Sequence, residues 1–190
     1  MKKNNFKINL DVKNYVINNF NLESLKKISQ LRKENSFVYK LRIKGFDFWK
    51  KSQFPQWSGF KYNINYDKIS PYSEITSESK KKNFSKIKKL LNKIGVNKDG
   101  INRIEKQKTT VLKDIVIDSK SFSLAQSDEL KRLGIIFTTI RIAIEKFPHL
   151  IKKYLGSVIK HDYHYFAALN TAFFSDGTFI YIPKNVKCPI

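Results

Sequence analysis

Cysteine is nearly absent from this sequence, as are several patterns that carry familiar functions. Cys188 is the only cysteine in 190 residues, which excludes an internal disulfide framework and a zinc site built from cysteines alone. The seven glycines form neither GxGxxG nor GxxxxGKS/T, so no phosphate-binding loop of these types is present. No apolar run approaches the roughly 18 residues of a membrane span. The first residues carry no signal-peptide or transit-peptide pattern, and we expect a protein that is neither exported nor inserted in a membrane.

Acidic residues are also few, and this imbalance gives the chain its strongest compositional signal. Asp and Glu number 16 against 37 Lys and Arg, which gives a net charge of +21. Such a charge is typical of proteins that bind nucleic acids or other anionic surfaces. A basic nucleic-acid-binding protein is therefore one of the functions that the sequence leaves open.

The kind of basic residue favours a different explanation of the charge. Lysine outnumbers arginine 32 to 5, whereas phosphate recognition favours the planar, bidentate guanidinium group of arginine. Lys, Asn, Ile, Phe and Tyr together make up half of the chain, and their codons are rich in A and T. Drift in an AT-rich genome, as found in organelles and in some bacteria with reduced genomes, explains the charge without a nucleic-acid ligand.

Two amphipathic helices are predicted in the first third of the chain. The first has Asn21 as its N-cap. Its apolar stripe consists of Leu22, Leu25, Ile28 and Leu31. The second covers residues 37–53 and is ended by Pro55. Its predicted core face consists of Val38, Leu41, Gly45, Phe48 and Trp49, and its predicted outer face of Arg42, Lys44, Lys50 and Lys51.

The middle of the chain predicts loops, one helix and one strand. Residues 56–79 are rich in Tyr, Ser and Asn, and we expect an ordered loop anchored by Trp57 and the tyrosines. Residues 80–95 have the period of an amphipathic helix with a solvated lysine face. Residues 97–109 predict a polar connector, and the alternation at 111–118 predicts a strand.

A short helix and a second strand are predicted next. Ser123 and Gln126 fit a capping box, which predicts a helix that runs through Leu133 and is closed by Gly134. The apolar, β-branched run at 135–139 predicts the strand.

The remainder of the sequence predicts two helices, an ambiguous segment and a final hairpin-like strand. Residues 140–147 form an apolar helical stripe, and Pro148 suits the first turn of another helix. Residues 164–173 fit either a helix or an extended segment. The turn signal Asp176–Gly177 precedes a strand at 178–182 that is apolar on both faces, and such a strand is expected to be covered on both.

The residues most able to hold a metal are His161, His164 and Cys188, with Asp162 between the two histidines. A small zinc protein is therefore a second alternative function, although zinc sites usually take closely spaced ligand pairs from both arms and this one has a single distant cysteine. His149 follows a proline at a helix start and is expected at the surface. No nucleophile, acid–base pair or cofactor loop is recognisable, so the sequence predicts no catalytic, cofactor-binding or metal-binding residue.

Three stretches nevertheless resemble the SufB family of iron–sulfur cluster assembly scaffolds. The strongest is YLGSVI at 154–159 followed by FAALNTAFFSDGTFIYIPKNVKCPI at 166–190, which is similar to a family hallmark almost position for position. The segments 133–157 and 37–74 resemble the parts that precede it in the family. Asn185 replaces the usual glycine of the family, a change that a left-handed turn tolerates. Cys188 matches a family cysteine that is not associated with building the cluster.

The resemblance implies a fold and a set of partners. It implies an α+β protein whose residues 1–155 form an amino-terminal region of helices and short strands. Residues 156–190 are then the start of a right-handed parallel β-helix, of which only the first strand or strands are present. Complete family members pair with SufD or with a second SufB and with the ATPase SufC. Their cluster-building residues and SufC surface lie beyond this sequence, so no cluster is expected on this portion.

The resemblance and the composition together predict a location. SufB is encoded in some plastid genomes, and an AT-rich organelle genome accounts for the lysine and asparagine content. We therefore expect an organelle-encoded form from an apicoplast or an algal plastid. The uncovered strand at 178–182 also leads us to expect a fragment of a longer protein that is prone to associate.

Overall fold

The computed structural model of the chain describes residues 14–58, 64–75, 113–117, 120–125 and 128–189, with Lys89 and Asn92 as isolated helical positions. The strands are β1 (Asn14–Ile17), β2 (Tyr72–Ile75), β3 (Lys113–Ile117), β4 (Lys120–Ala125), β5 (Ile136–Thr139) and β6 (Thr178–Tyr181). The helices are α1 (Leu22–Leu31), α2 (Ser36–Lys51), α3 (Asp128–Arg132), α4 (Ile140–Lys146), α5 (Pro148–Tyr154) and α6 (Tyr165–Phe173). This mixture confirms the predicted α+β class.

The described strands form three separate two-stranded ladders, all antiparallel. β1 pairs with β2 from Asn14↔Ile75 to Ile17↔Tyr72, and β3 pairs with β4 around an irregularity between Ile115 and Val116. β5 pairs with β6, so that Thr139 lies opposite Thr178. The first ladder joins β1 to β2 and the third joins β5 to β6. Because the paired strands are distant in sequence, the helices between them are held within closed loops of the chain.

Two groups of buried side chains form the core. The larger one unites β1, α1, α2, β2 and α6, and its buried members are Ile17, Leu25, Ile28, Phe46, Trp49, Tyr72, Ala168, Ala172 and Phe173. The smaller one lies between α2, α4 and α5 and contains Val38, Ala143, Ile144 and Ile151. Residues on both sides of position 155 therefore share the same apolar interior.

Most of the predicted element boundaries in the described residues are confirmed. Asn21 caps α1 by accepting a hydrogen bond from Ser24 N at 2.8 Å. Gly134 closes α3 with a positive φ of 73°, and Pro148 occupies the first turn of α5. Asn185 adopts the left-handed φ of 64° that its replacement of glycine predicted. The ambiguous segment 164–173 is helical from Tyr165 onward.

The predicted outer face of α2 is wrong at Arg42. This side chain is fully buried, whereas the lysines at 44, 50 and 51 are exposed as predicted. A charged residue can lie in the interior only when its charge and hydrogen-bond donors are satisfied there. Arg42 meets that condition through residues far away in the sequence, which the helical period alone cannot reveal.

Two further predictions need correction. Trp57 does not anchor the loop at 56–79: it lies in a single 3-10 turn, and its side chain is 72% exposed. The tyrosine part of the prediction is confirmed, because Tyr72 is buried and the half-buried Tyr66 packs against the larger core group. Ser123 does not cap a helix, because it lies within strand β4 and the helix begins at Asp128.

Two predicted segments lie outside the described residues. They are the amphipathic helix at 80–95, apart from the exposed helical positions Lys89 and Asn92, and the connector at 97–109. Within α1, the predicted stripe divides into buried Leu25 and Ile28 and the more exposed terminal residues Leu22 and Leu31.

Candidate interaction surface

Helix α6, the first part of the family-like segment, lies directly against α2. The contact passes over Gly45, where an added Cβ would be only 2.9 Å from the carbonyl oxygen of Ala168 and 2.9 Å from the Cβ of Thr171. No residue larger than glycine fits this crossing without displacing backbone. The small residues Ala168 and Ala172 on α6 are both fully buried, and they allow the two helices to approach closely.

Arg42 fastens the carboxyl end of α6 to α2. Its Nε and Nη2 donate to Glu34 Oε2 and Oε1 at 2.7 and 2.6 Å, a bidentate pair. Its Nη1 donates to the carbonyl of Ala172 at 2.8 Å, and Nη2 also donates to the carbonyl of Phe174 at 2.9 Å. The guanidinium carbon lies 4.0 Å from the centroid of the Phe174 ring. Arg42 therefore satisfies the last carbonyls of the helix and sets the direction in which the chain leaves it.

The same carboxylate serves a second buried arginine. Arg32 Nε donates to Glu34 Oε1 at 3.1 Å, and the side chains of Arg32 and Glu34 are 2% and 1% exposed. Arg32 also lies beside Tyr72. Burial raises the pKa of the Tyr72 phenol, and the hydrogen bond that it donates to Glu74 adds to this, while Arg32 acts in the opposite direction. The turn between α1 and α2 is thus a charge network centred on one carboxylate.

An aromatic group packs beside this network and encloses a small cleft. Trp49 contacts Phe20, Tyr66 and Phe173 edge-on or tilted, with ring centroids 5.2 to 6.2 Å apart. Tyr165 donates its hydroxyl to that of Tyr66 at 2.9 Å, and burial raises the pKa of the Tyr66 phenol. A cleft of about 260 Å³ opens between these rings and Lys50, Ser52 and Asp67. These contacts fix the amino end of α6.

With both ends of α6 fixed, the chain turns at Asp176–Gly177 and enters β6. Gly177 O accepts a hydrogen bond of 2.7 Å from Ile140 N, which ties the turn to the start of α4. Phe179 points inward, since its ring stacks on that of Phe147 with centroids 6.3 Å apart. The predicted strand is therefore confirmed, and one of its faces is partly covered by the smaller core group.

The other face of β6 is not covered within the described residues. Ile180 is 51% exposed and Ile182 is 45% exposed, and Thr178, which alternates with them, is also exposed. The loop between α5 and α6 carries two more apolar side chains into solvent: Val158 is 92% exposed and Ile159 is 61% exposed. Aliphatic side chains with so much exposure are unusual in a group, and an exposed apolar group generally marks an interaction site.

A cleft of about 280 Å³ connects the loop to the strand. Its apolar wall consists of Leu41, Ile140, Leu155, Ile159 and Phe174. Its polar rim includes Asn170, Thr171, Asp176 and Thr178. Ile159 and Thr178 both line this cleft, so the exposed loop and the exposed strand belong to one continuous surface.

The sequence-predicted metal candidates are not brought together. His164 is the N-cap of α6, and its Nδ1 accepts hydrogen bonds from the backbone N–H groups of Phe166 and Ala167 at 3.1 and 3.2 Å. Its neighbours are aromatic rings, with Trp57 at 6.1 Å and Tyr163 at 5.2 Å between centroids. Among the described ranges, no group of three or more His, Cys, Asp or Glu side chains lies close enough to hold a metal ion. The His161–His164 spacing is explained at His164 by helix capping.

His149 is exposed at the start of α5, as predicted. Cys188 is a free, half-buried cysteine in the segment that follows β6. Across the part of the chain that the structure describes, no helix is long and apolar enough to cross a lipid bilayer.

The residues that sequence reasoning missed are Glu34 and Arg42. Their only sequence signal is an acidic residue placed just before a helix that carries one arginine on an otherwise apolar face.

Comparison with known proteins places this arrangement in a family. Residues 20–189 match the model of the SufBD protein N-terminal region. The "Iron-sulfur cluster assembly SufBD family protein ycf24" of Guillardia theta is 40% identical over 169 residues, which cover 87% of this chain and 35% of that protein. "ABCI8, chloroplastic" of Arabidopsis thaliana is 36% identical and is covered over 30% of its length. "Iron-sulfur cluster assembly protein SufB" of Plasmodium falciparum is 37% identical, over 80% of this chain and 31% of that protein.

This chain belongs to the SufBD family. The match confirms the resemblance of its family-like segments, and it lies in the amino-terminal region of the family. The chain spans about a third of the length of the curated relatives that it matches.

Proposed function

We propose that this chain is the amino-terminal portion of a SufB-like scaffold on which iron–sulfur clusters are assembled. The observation that carries the proposal is the family match over residues 20–189, together with relatives named for iron–sulfur cluster assembly at up to 40% identity. In this proposal, iron and sulfide are cargo of the complete scaffold. The portion described here performs no chemistry of its own and serves to position β6 and its surroundings.

We also propose that the chain divides, by function, near residue 155. Residues 1–155 form the mixed amino-terminal region, and residues 156–190 lead into a right-handed parallel β-helix. The exposure of Ile180 and Ile182, on the side away from the smaller core group, supports this, since a strand of a β-helix is covered by its neighbours in the stack. Because β6 itself is antiparallel to β5, the parallel stacking begins after β6.

The partners and the location follow from the family. We propose that the complete protein acts with the ATPase SufC and with SufD or a second SufB, as the family resemblance implies. We further propose a plastid location and an organelle-encoded gene. The half of the chain made up of Lys, Asn, Ile, Phe and Tyr supports an AT-rich genome, and one relative is named as chloroplastic.

The test is a chimera in which this chain replaces the matching stretch of the Guillardia theta relative. Purified chimera and the 190-residue chain are incubated with iron, a sulfur donor and SufC, and cluster formation is followed by visible absorption and by iron and sulfide content. We expect a cluster on the chimera and none on the 190-residue chain. A full cluster on the 190-residue chain would overturn the proposal, as would a folded chimera that assembles none while the unaltered relative does.

A further inference from the structure

One surface of the molecule combines exposed apolar side chains with an accessible strand edge. We name it the docking face and define it by Val158 and Ile159 of the α5–α6 loop, by Ile180 on the outer side of β6 and by Ile182, which directly follows β6. These four aliphatic side chains are each 45% to 92% exposed. Scattered single apolar residues at a surface need no explanation, but four on one continuous surface do.

Continuity is provided by the cleft between the loop and the strand. Ile159 lines its loop side, and Thr178, which shares the outer side of β6 with Ile180, lines its strand side. At about 280 Å³, the cleft has room for one large apolar side chain of a partner, with Leu155 and Phe174 as its apolar wall. A docking face with a central cleft of this kind resembles the anchor pockets at which interfaces concentrate their binding energy.

The backbone of β6 also offers a place for another strand. Within the described residues, its ladder is formed with β5 alone. Residues 178–182 contain no proline, so none of them lacks a backbone N–H group. An extended segment added to this edge would gain backbone hydrogen bonds while its apolar side chains cover Ile180.

The relatives indicate which polypeptide would cover the docking face. The chain matches the amino-terminal region of the family, and about two thirds of the Guillardia theta relative lies outside the matched stretch. The docking face is formed by the α5–α6 loop and by β6 with the residue after it, close to the carboxyl end of the matched region, where the longer relatives continue. All four side chains that define the docking face are aliphatic, and such an apolar character is more typical of permanent interfaces than of transient ones.

We propose that the docking face binds the polypeptide that follows the amino-terminal region in the longer relatives, and that it does so even when that polypeptide is a separate chain. The occupant adds a strand at β6 and inserts an apolar side chain into the cleft. This inference rests on the proposed function, because the occupant is taken from the same family. It adds that the two parts recognise each other without a covalent connection, as the halves of a split protein do.

The experiment combines the full 190-residue chain with a tagged polypeptide made of the part of the Guillardia theta relative that follows the matched stretch. The two are co-expressed, captured by the tag and sized by light scattering. We expect a one-to-one complex. The double variant Val158→Asp/Ile180→Asp should weaken it roughly thirtyfold or more, as loss of a central apolar anchor does.

The matched control places the same charges on apolar residues outside the docking face. Leu22→Asp/Ile69→Asp alters side chains that are 50% and 44% exposed, and binding should stay within about twofold of the unaltered chain. Far-ultraviolet circular dichroism verifies that both double variants keep their helix content. Equal weakening by the two double variants, or a chain that pairs with itself through the docking face instead, would overturn the proposal.

A second measurement keeps the proposal testable if the separate polypeptide does not fold. Val158→Cys and Ile180→Cys, in a Cys188→Ser background, are labelled with a thiol reagent in the 190-residue chain and in the Guillardia theta chimera. Labelling of the two peptides is quantified by mass spectrometry. Coverage of the docking face predicts at least a tenfold slower reaction in the chimera, and an unchanged rate would overturn the proposal. Cluster assembly by the chimera is a separate readout, so the proposed function can stand when this inference fails.

Discussion

The crossing of α2 and α6 and the outer side of β6 are neighbours, yet they differ in how their side chains are placed. Buried polar groups at the crossing have partners within the chain, whereas apolar side chains on β6 are exposed. At the crossing, Arg42 and Glu34 pair charge with charge, and the last carbonyls of α6 receive donors. On the outer side of β6, Ile180 and Ile182 lie half in solvent. The difference shows that contacts within this chain hold the α2–α6 crossing together. The same crossing positions β6, but the outer side of that strand stays exposed.

The largest expected effect comes from removing the carboxylate at the crossing. Glu34→Gln leaves Arg32 and Arg42 buried without a counter-charge, and breaking a buried pair in this way costs about 3–5 kcal/mol. The free energy of unfolding in urea should fall by that amount. The matched control, Glu23→Gln, alters an exposed carboxylate paired with Lys27 and should not move the midpoint. Equal midpoints for the two variants would contradict the charge network.

A smaller loss is expected at the helix contact itself. In Gly45→Ala the new Cβ would lie 2.9 Å from backbone of α6, and overpacking of this kind costs about 1–3 kcal/mol. Because backbone atoms of Ala168 and Ala172 are among those that the new Cβ would meet, we expect the upper part of this range, which exceeds the roughly 1 kcal/mol that alanine gains over glycine inside a helix. Thermal unfolding should therefore occur at a lower temperature. Gly177→Ala is the control, because its new Cβ would have its nearest neighbour at 3.8 Å.

The helix cap of α6 offers a third comparison. His164→Ala removes the acceptor for two backbone N–H groups and should destabilise the chain by about 1 kcal/mol, the usual value of an N-cap. His164→Asn should restore most of the loss, since asparagine caps well. Zinc should leave the melting temperature of the unaltered chain unchanged. A zinc-dependent rise in the melting temperature that His161→Ala abolishes would support a metal site at these residues.

The smallest expected effect lies on the outer side of β6. Ile180→Ser replaces a half-exposed side chain and should change the free energy of unfolding by no more than about 0.5 kcal/mol in the 190-residue chain. Phe179→Ala, one position earlier, removes a ring that stacks on Phe147 and should cost clearly more. Similar losses in the two variants would mean that the outer side of β6 is packed as tightly as the inner side.

Local signals predicted the elements well. Asn21, Gly134 and Pro148 act on their immediate neighbours through capping, a left-handed turn and a fixed φ, so their effects can be read from a few residues. The strand at 178–182 was predicted correctly for the same reason, whereas the α+β class was implied by the family resemblance. Ser123 shows the limit of such signals. Its sequence fits a capping box, but the residue forms part of β4 and pairs with β3 instead.

Long-range partners could not be predicted in this way. The period of α2 assigned Arg42 to solvent, because nothing near it in sequence shows that carbonyls 130 and 132 residues away would receive its donors. Trp57 is the opposite case, a large aromatic residue that the sequence assigned to the interior and the fold leaves outside. For the docking face, the sequence showed that the strand is apolar on both sides, but the contribution of Val158 and Ile159 depends on how the loop folds.

The reach of Arg42 has a consequence for the order in which the chain is made. Its acceptors leave the ribosome 130 residues after it does, which at about 5–20 residues per second is a delay on the order of ten seconds. Until then α2 has neither the partner helix that covers Gly45 nor the carbonyls that take up its buried donors. Closure of so long a loop is slow compared with helix formation. The amino-terminal helices therefore keep an incomplete, exposed contact surface during synthesis. The larger core group forms only when α6 emerges, almost together with the strand that it positions.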